Sequence, residues 1–266
     1  MRVLTWNCRR ACAQSALWGY LDELAPDVAM LQEVCGMPAV LRDRYDIRLA
    51  VPRKKAGGPQ AFASALLVKG TIGGPVTLSA PHAWIREQLA SFRGNILSYE
   101  VTAGGDGMMT AVAAYSPAWP VSKSAYAGED VTGVKLSQNP DVWVTDILTT
   151  ALRSAQTEGQ NAWIVAGDFN ACETFDSWKG GPRGNREWLD RMAALGFTEC
   201  LRHHQGQLTP TFRGPQRETP NCQIDHLFVN QALASRLVRC AVGDVDRVFG
   251  HGLSDHLPVI ADFAPQ

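Results

Sequence analysis

The chain has 266 residues, 45% of them hydrophobic and 19% charged, with 25 Lys and Arg against 26 Asp and Glu. That composition supplies an apolar core of ordinary size and excludes a disordered chain. A net charge near zero argues against a long electrostatic track along nucleic acid, and no apolar run reaches the length of a bilayer span.

Short apolar runs bounded by turn or polar residues read as buried strands. The first covers Val3–Trp6 and ends on Asn7. A helix is predicted over residues 15–24, with Leu17, Tyr20, Leu21 and Leu24 on one face and Pro26 closing it. The next strand, residues 27–31, delivers Gln32-Glu33. Strands are expected at 61–68 and 90–101, with Gly70, Gly73-Gly74 and Gly104-Gly105 as turns. The strand at 109–114 runs into Tyr115-Ser116-Pro117, and residues 116–136 follow without periodicity, as a binding loop would. A helix over 141–152 leads to the strand 163–166 and to Gly167-Asp168-Phe169-Asn170; a second covers 187–195 and stops at Gly196. His203-His204 reads as loop surface. Strands at 223–229, 237–242 and 257–263 complete the chain, the last preceded by Ser254-Asp255-His256. No short repeat is present, and the mixed order of strands and helices indicates an α/β protein. Because the polar clusters run from Asn7 to His256, residues 1–266 are expected to form one domain.

Five polar clusters therefore sit at strand ends, where residues remote in sequence can meet. Carboxylates, amides and an imidazole gathered there suit metal-assisted hydrolysis better than a folding core. Each has a plainer reading. Glu33 alone could be solvated or salt-bridged, and Asn7 alone could cap backbone; together, with Asn7 holding a carboxylate oxygen of Glu33, they make a hard-cation ligand and its support. Asp168 and Asn170, two residues apart, could be an Asx-turn, or could aim an acceptor and an amide at one water. An isolated histidine is commonly structural, but Asp225 could accept from one ring nitrogen of His256 and keep it cationic toward an oxyanion. His226 is expected to be a neighbouring strand side chain.

The basic set is skewed to Arg, 19 against 6 Lys, and Arg9-Arg10, Arg53-Lys54-Lys55, Arg183/Arg186 and Arg213/Arg217 fall in loop-like segments. Guanidinium suits phosphate, and ordinary surface solvation is the alternative. The seven cysteines form no CxxC and no zinc-like spacing, so a reduced, cytoplasmic protein is expected. No basic-then-apolar leader precedes the first strand, and a cleavable one would remove Asn7.

The ordered series Thr5-Trp6-Asn7, Leu31-Gln32-Glu33-Val34, Tyr115-Ser116-Pro117, Gly167-Asp168-Phe169-Asn170, Ile224-Asp225-His226 and Ser254-Asp255-His256-Leu257-Pro258 resembles the endonuclease/exonuclease/phosphatase superfamily, which includes exonuclease III-type abasic-site endonucleases and deoxyribonuclease I. The resemblance spans nearly the whole chain. It implies a four-layer α/β/β/α sandwich of two mixed sheets with flanking helices. It also implies a divalent ion, Mg2+ or Mn2+, held by Glu33 with Asn7 and Asp255, a base or water-positioning carboxylate in Asp168 beside Asn170, a phosphate-stabilising His256 oriented by Asp225, and a phosphate-contacting Tyr115. Two positions depart from the pattern. Arg9 stands where some abasic-site endonucleases carry an acid, favouring a phosphate contact there, and Gln223 precedes the strand Asp where an Arg is common. The expected activity is divalent-metal-dependent phosphodiester hydrolysis by in-line attack of water. The expected substrate is DNA in preference to RNA, with Arg9 and Arg53 on phosphates and Trp119, Phe212 or Trp178 available to stack. A small-molecule or phospholipid-headgroup phosphoesterase on the same scaffold is the alternative. The protein is expected to act as a monomer, without a membrane.

Overall fold

A computed structural model describes residues 1–155, 161–178, 183–215 and 217–265. In chain order the elements are β1 (Arg2–Ala11), α1 (Leu17–Leu24), β2 (Val28–Val34), β3 (Asp46–Ala50), β4 (Ala63–Val68), β5 (Gly70–Pro75), α2 (Ala83–Ser91), β6 (Ile96–Ala103), β7 (Met109–Tyr115), α3 (Val144–Ala155), β8 (Ala162–Asp168), α4 (Asn185–Ala194), β9 (Thr198–Glu199), α5 (Cys200–Gln205), β10 (Asp225–Val229), α6 (Gln231–Ala234), β11 (Leu237–Val242) and β12 (Val259–Phe263). They make two six-stranded sheets, β11-β12-β1-β2-β4-β3 and β5-β6-β7-β8-β10-β9. Each is mixed: β1 and β2 are parallel, as are β7 and β8, whereas β12 and β10 pair antiparallel with β1 and β8.

The pleat decides which side chains meet, because successive residues of a strand face opposite ways. Val3, Val28, Met30, Ala111, Ala113, Ile164, Ala166 and Leu227 enter the layer between the sheets. Leu4, Trp6, Ala29 and Leu31 turn outward to Leu17 and Leu21 of α1. Val112, Ala114, Val165 and Phe228 turn the other way, onto Trp84, Ile147, Leu148 and Trp188 of α2, α3 and α4. Both faces of each sheet are thus covered, giving the expected α/β/β/α sandwich. Helix α5 closes one flank, packing on β11 and β10 and adding Cys200 and Leu201 to the central layer.

Helix α1 ends as its sequence indicates, with Ala25 left-handed (φ 46°) just before Pro26. Other segments differ from expectation. The strand expected at 90–101 begins only at Ile96, because Leu89 and its neighbours continue α2 to Ser91. At the turn that follows, a Cβ on Gly94 would lie 1.9 Å from the Val51 carbonyl oxygen, a contact only glycine allows. Gly70 and Gly73-Gly74, expected as turns, lie within β5, an edge strand whose ladder is supplied by β6. Edge strand β3 was not expected, although Ile47 and Leu49 alternate with Asp46 and Arg48. His203 and His204 lie on α5, exposed as expected but helical. The segment 116–136 is irregular yet packed: Val121 N–H donates to Val142 O (2.8 Å), and Val121, Val134 and Leu136 are buried against α3.

Asp146 carries an unusual charge at the start of α3. Its carboxylate accepts the Trp143 N–H (2.9 Å) and is otherwise buried, so burial pushes its pKa up to about 7 against the opposing pull of that bond and of Arg191. A carboxyl raised in the folded state binds its proton more tightly there than in the unfolded chain. Its contribution is therefore complete below the unfolded value near 3.8 and lost as pH rises through about 7. The cost of ionising it is about 4 kcal/mol. Asp146→Asn, which can still accept from Trp143, should flatten the fall in stability between pH 4 and 8, read by urea unfolding at each pH; an unchanged pH profile would contradict this assignment.

Candidate active site

Strand direction explains why the polar ends share one edge. Parallel partners finish together, so β7 and β8 bring Tyr115 opposite Asp168; antiparallel β10 starts there, with Asp225 opposite Asp168. Asn7, where the register of β1 on β2 shifts, pairs with Gln32 at the same edge. By pleat parity Asn7, Tyr115, Asp168 and Asp225 all point between the sheets. Across that gap Asn7 Nδ2 donates to Asp168 Oδ2 (3.0 Å), and Asn170 N–H donates to Oδ1 (2.9 Å). This corrects the expected Asn7–Glu33 pairing: the amide is committed to the opposite sheet. Gly167 makes the close approach possible, since a Cβ there would stand 1.8 Å from Ala114 O. Burial pushes the Asp168 carboxyl up, with His256 opposing and Asp225 adding to the rise.

Glu33 reaches the site by a different device. Parity alone would turn it away from the central layer, but its backbone is left-handed (φ 55°) where the β1–β2 register shifts. Arg9 (φ 47°), Arg10 (φ 60°) and Asn170 (φ 49°) share that conformation. Among the described residues Ala25 is the only other non-glycine with positive φ, so uncommon backbone geometry is concentrated at this edge. Glu33 accepts a hydrogen bond from Tyr115 Oη (3.3 Å) and lies 4.0 Å from the Arg10 guanidinium. Burial and Glu33 push the Tyr115 phenol well above its ordinary range, so it remains a donor.

His256 is buried, with Nδ1 2.9 Å from Asp225 Oδ2. Burial alone would lower its pKa; Asp225, with Asp168 and Asp255 behind it, reverses this and holds it up at about 9. Thr211 Oγ1 donates to Asp225 (2.7 Å) and accepts from the Asp225 N–H (3.2 Å). Phe212 packs on the imidazole, ring centroids 4.8 Å apart. Trp6 Nε1 donates to His256 O (2.7 Å) and Ser254 Oγ to Asn7 O (2.7 Å), joining the last cluster to the first. His226 faces the aromatic layer of Phe169, Trp188 and Phe228 instead, as a strand side chain.

Two groups of donors could hold a cation. Asp168, Asp225 and His256 have ligand atoms within 4.8 Å of one another, but their nearest oxygens and nitrogen are spent on Asn7, Thr211 and each other. Glu33 and Asp255 are partly exposed, and their guanidinium neighbours, Arg10 and Arg9, stay at 4.0 and 3.6 Å. Partly exposed carboxylate oxygens are the donor type a hard divalent ion takes, so Glu33 and Asp255 fit such a group by their chemistry, whereas Asn7 spends Nδ2 on Asp168 and Oδ1 on the Arg9 N–H.

Arg9 stands at this edge, beside Asp255. Arg53 is not gathered there: its guanidinium rests on Phe92 (5.1 Å) and bonds to Ser91 Oγ, lining a separate recess of about 510 Å3 with Trp119 and Lys123. Next to Asn170 lies another recess, about 390 Å3, walled by Phe175, Trp178 and Phe212 with Arg217 and Asn221 at its side. Thr211 and the bracing role of Phe212 escaped the sequence reading, because a Thr-Pro-Thr-Phe segment outside any strand carries no positional signal.

A family model described as the Endonuclease/Exonuclease/phosphatase family matches residues 4–256. The chain belongs to that family. It is accordingly a phosphoesterase enzyme. Among solved structures it is similar to an AP endonuclease from Archaeoglobus fulgidus (17% identity, TM-score 0.70) and to the 3' phosphatase NExo from Neisseria bound to product DNA hairpin (19%, TM-score 0.67), both over 100% of each chain. It is also similar to the APE2 catalytic domain of Xenopus laevis, at 16% identity and TM-score 0.67 over 99% of this chain and 91% of that one. At such identities these likenesses describe the fold. No curated protein matches the sequence.

Removing the Asp225 charge should leave burial to act alone on the imidazole of this family member. In metal-free Asp225→Asn the His256 titration midpoint, followed by NMR, should fall from about 9 to near or below 7. A midpoint that stayed near 9 would refute the pairing as its cause.

Proposed function

We propose that the protein is a divalent-metal-dependent phosphodiester hydrolase acting on DNA, with the scissile phosphate at the edge shared by the two sheets. The observation that carries this reading is the meeting, across the sandwich, of Asn7 and Asp168 beside the Asp225–His256 pair and the Glu33 carboxylate. Glu33 and Asp255, with Asn7 alongside, would hold the ion, Mg2+ or Mn2+. When bound, it neutralises charge on the phosphate and the leaving oxygen.

The chain's own residues supply the rest. Asp168, oriented by Asn7 and by the Asn170 N–H, takes the proton of the attacking water. Asn170 donates its amide to Ser116 O (2.8 Å), which leaves its side-chain oxygen to orient that water. His256 keeps Nδ1 on Asp225 and presents Nε2 as a cationic donor to a phosphate oxygen. Tyr115 donates toward the phosphate from beside Glu33. Arg9 contacts a neighbouring phosphate, and Arg53 does so further along the strand. The recess beside Asn170 receives a sugar or base against Phe175 and Trp178. All of these groups come from one chain, which suits a monomer. Among the described residues no helix is long and apolar enough to cross a membrane, and we place the enzyme in the reducing cytoplasm.

The test is cleavage of an abasic duplex and of plasmid DNA with Mg2+, run beside inositol phosphates and choline phospholipids. The DNA substrates should be cut, activity should vanish with a chelator, and Asp168→Asn should lower turnover by about 10³-fold or more while leaving the unfolding curve unchanged. Cleavage of the small phosphoesters alone would overturn the DNA assignment, and full activity in Asp168→Asn would overturn the role given to that carboxylate.

A further inference from the structure

Hydrolysis of a phosphodiester has no use for sulfur, yet two buried thiols face each other behind the recess beside Asn170. Cys172 lies two residues beyond Asn170 on the segment leaving β8, and Cys222 lies on the ribbon that carries Phe212. The two share a small apolar cluster with Ile224, Phe175 and Phe212. The ribbon is closed by Thr211 and Phe212 N–H groups, both donating to Cys222 O (2.8 and 3.0 Å). Cys172 Sγ is 3.0 Å from Thr174 Oγ1, and the Cys222 thiol is its neighbour in the same cluster. The neighbouring Cys222 and the Thr174 hydroxyl hold the Cys172 thiol below its ordinary range in spite of burial, while Cys222 is pushed up, so Cys172, with a hydroxyl at its sulfur, is the nucleophile of the pair. Cys222 lines the recess with Cys172 packed behind it in the same cluster, so a small reagent entering there meets the pair. The remaining buried cysteines, Cys8, Cys200 and Cys240, are pushed the other way by burial, while Cys12 and Cys35 are exposed.

We propose that Cys172 and Cys222 are an oxidation-responsive dithiol, closing to a reversible disulfide that ties the loop after β8 to the Phe212 ribbon and so fixes two walls of the recess. The oxidant is a hydroperoxide. The Cys172 sulfur attacks the peroxide oxygen, the O–O bond breaks, and with hydrogen peroxide the departing hydroxide takes the thiol proton and leaves as water, giving a sulfenic acid. The Cys222 sulfur then attacks that sulfur, the S–O bond breaks, and a second water leaves with the Cys222 proton. The two thiols lose two electrons and two protons, which the peroxide gains. Closure needs the two neighbouring sulfurs to approach to about 2.05 Å, a local shift of the ribbon. A small dithiol reductant reverses it by exchange.

The experiment uses the folded full chain with Cys12→Ser and Cys35→Ser, so that no exposed thiol competes. After treatment with hydrogen peroxide and blocking of remaining thiols, digestion and mass spectrometry should reveal a Cys172–Cys222 peptide pair about 2 Da lighter than the two thiols, lost on treatment with dithiothreitol. Thermal unfolding of the oxidised protein should shift upward by several degrees. With Cys222→Ser added, the link should be absent and dimedone should trap a sulfenic acid at Cys172. Recovery of both residues as blocked thiols, or oxidation of Cys172 to sulfinic acid with no link while Cys222 is present, would overturn the proposal. The readout does not involve phosphodiester cleavage, so it stands or falls separately from the proposed function.

Discussion

Where the apolar layer between the sheets ends, a buried carboxylate has to be satisfied, and the Asn7–Asp168 hydrogen bond does this by joining one sheet to the other. A carboxylate in that position without donors would cost several kcal/mol. The Asn7 amide and the Asn170 N–H remove much of that cost, but only if β1 and β8 sit in one relative placement. The contact therefore couples sheet packing to the position of the groups around it. Gly167 is part of the same constraint, since any side chain there would push β8 away from β7.

Burial then separates two kinds of charge. Asp168, Asp225 and His256 are enclosed and balance one another, with Thr211 taking up Asp225 and Phe212 covering the imidazole. A buried ion pair of this kind adds little net stability, because desolvation offsets the attraction. Its value is directional: one nitrogen of His256 is fixed and the other is left to act. Glu33, Arg9 and Arg10, held by left-handed backbone rather than by packing, form the open side with Asp255, which lies 3.6 Å from Arg9. A strained edge beside a rigid buried cluster is what a binding site for a charged, removable group requires.

Much of this was readable from residue order. Brief apolar runs at β1, β2, β7, β8 and β12 located the central strands, and the polar residues after them located the site, because strands buried on both faces leave a clear signature. The edge strand β5 was not readable, since its Gly-rich sequence takes its pairing from a neighbour and not from its own apolar content, and β3, with only Ile47 and Leu49 alternating, was passed over; the start of β6 was hidden by the apolar tail of α2. At the site, Glu33 was recognised by type, but its direction depends on a backbone inversion that no residue pattern encodes. The Asn7 partner was misassigned for a related reason. Contacts between neighbouring strands of one sheet can be reasoned from adjacency, whereas contacts across the sandwich depend on how two sheets stack. Thr211 and the Cys172–Cys222 pair belong to the same class of long-range detail.

The account stands on oxygen donors from separate strands converging on a common ion at the open side of the site. Anomalous diffraction from crystals soaked in Mn2+ tests this most directly. A peak about 2 Å from the Glu33 carboxylate, with Asp255 and Asn7 around it, is the predicted result. A peak lodged between Asp225 and His256 instead, or no peak at either position, would contradict it.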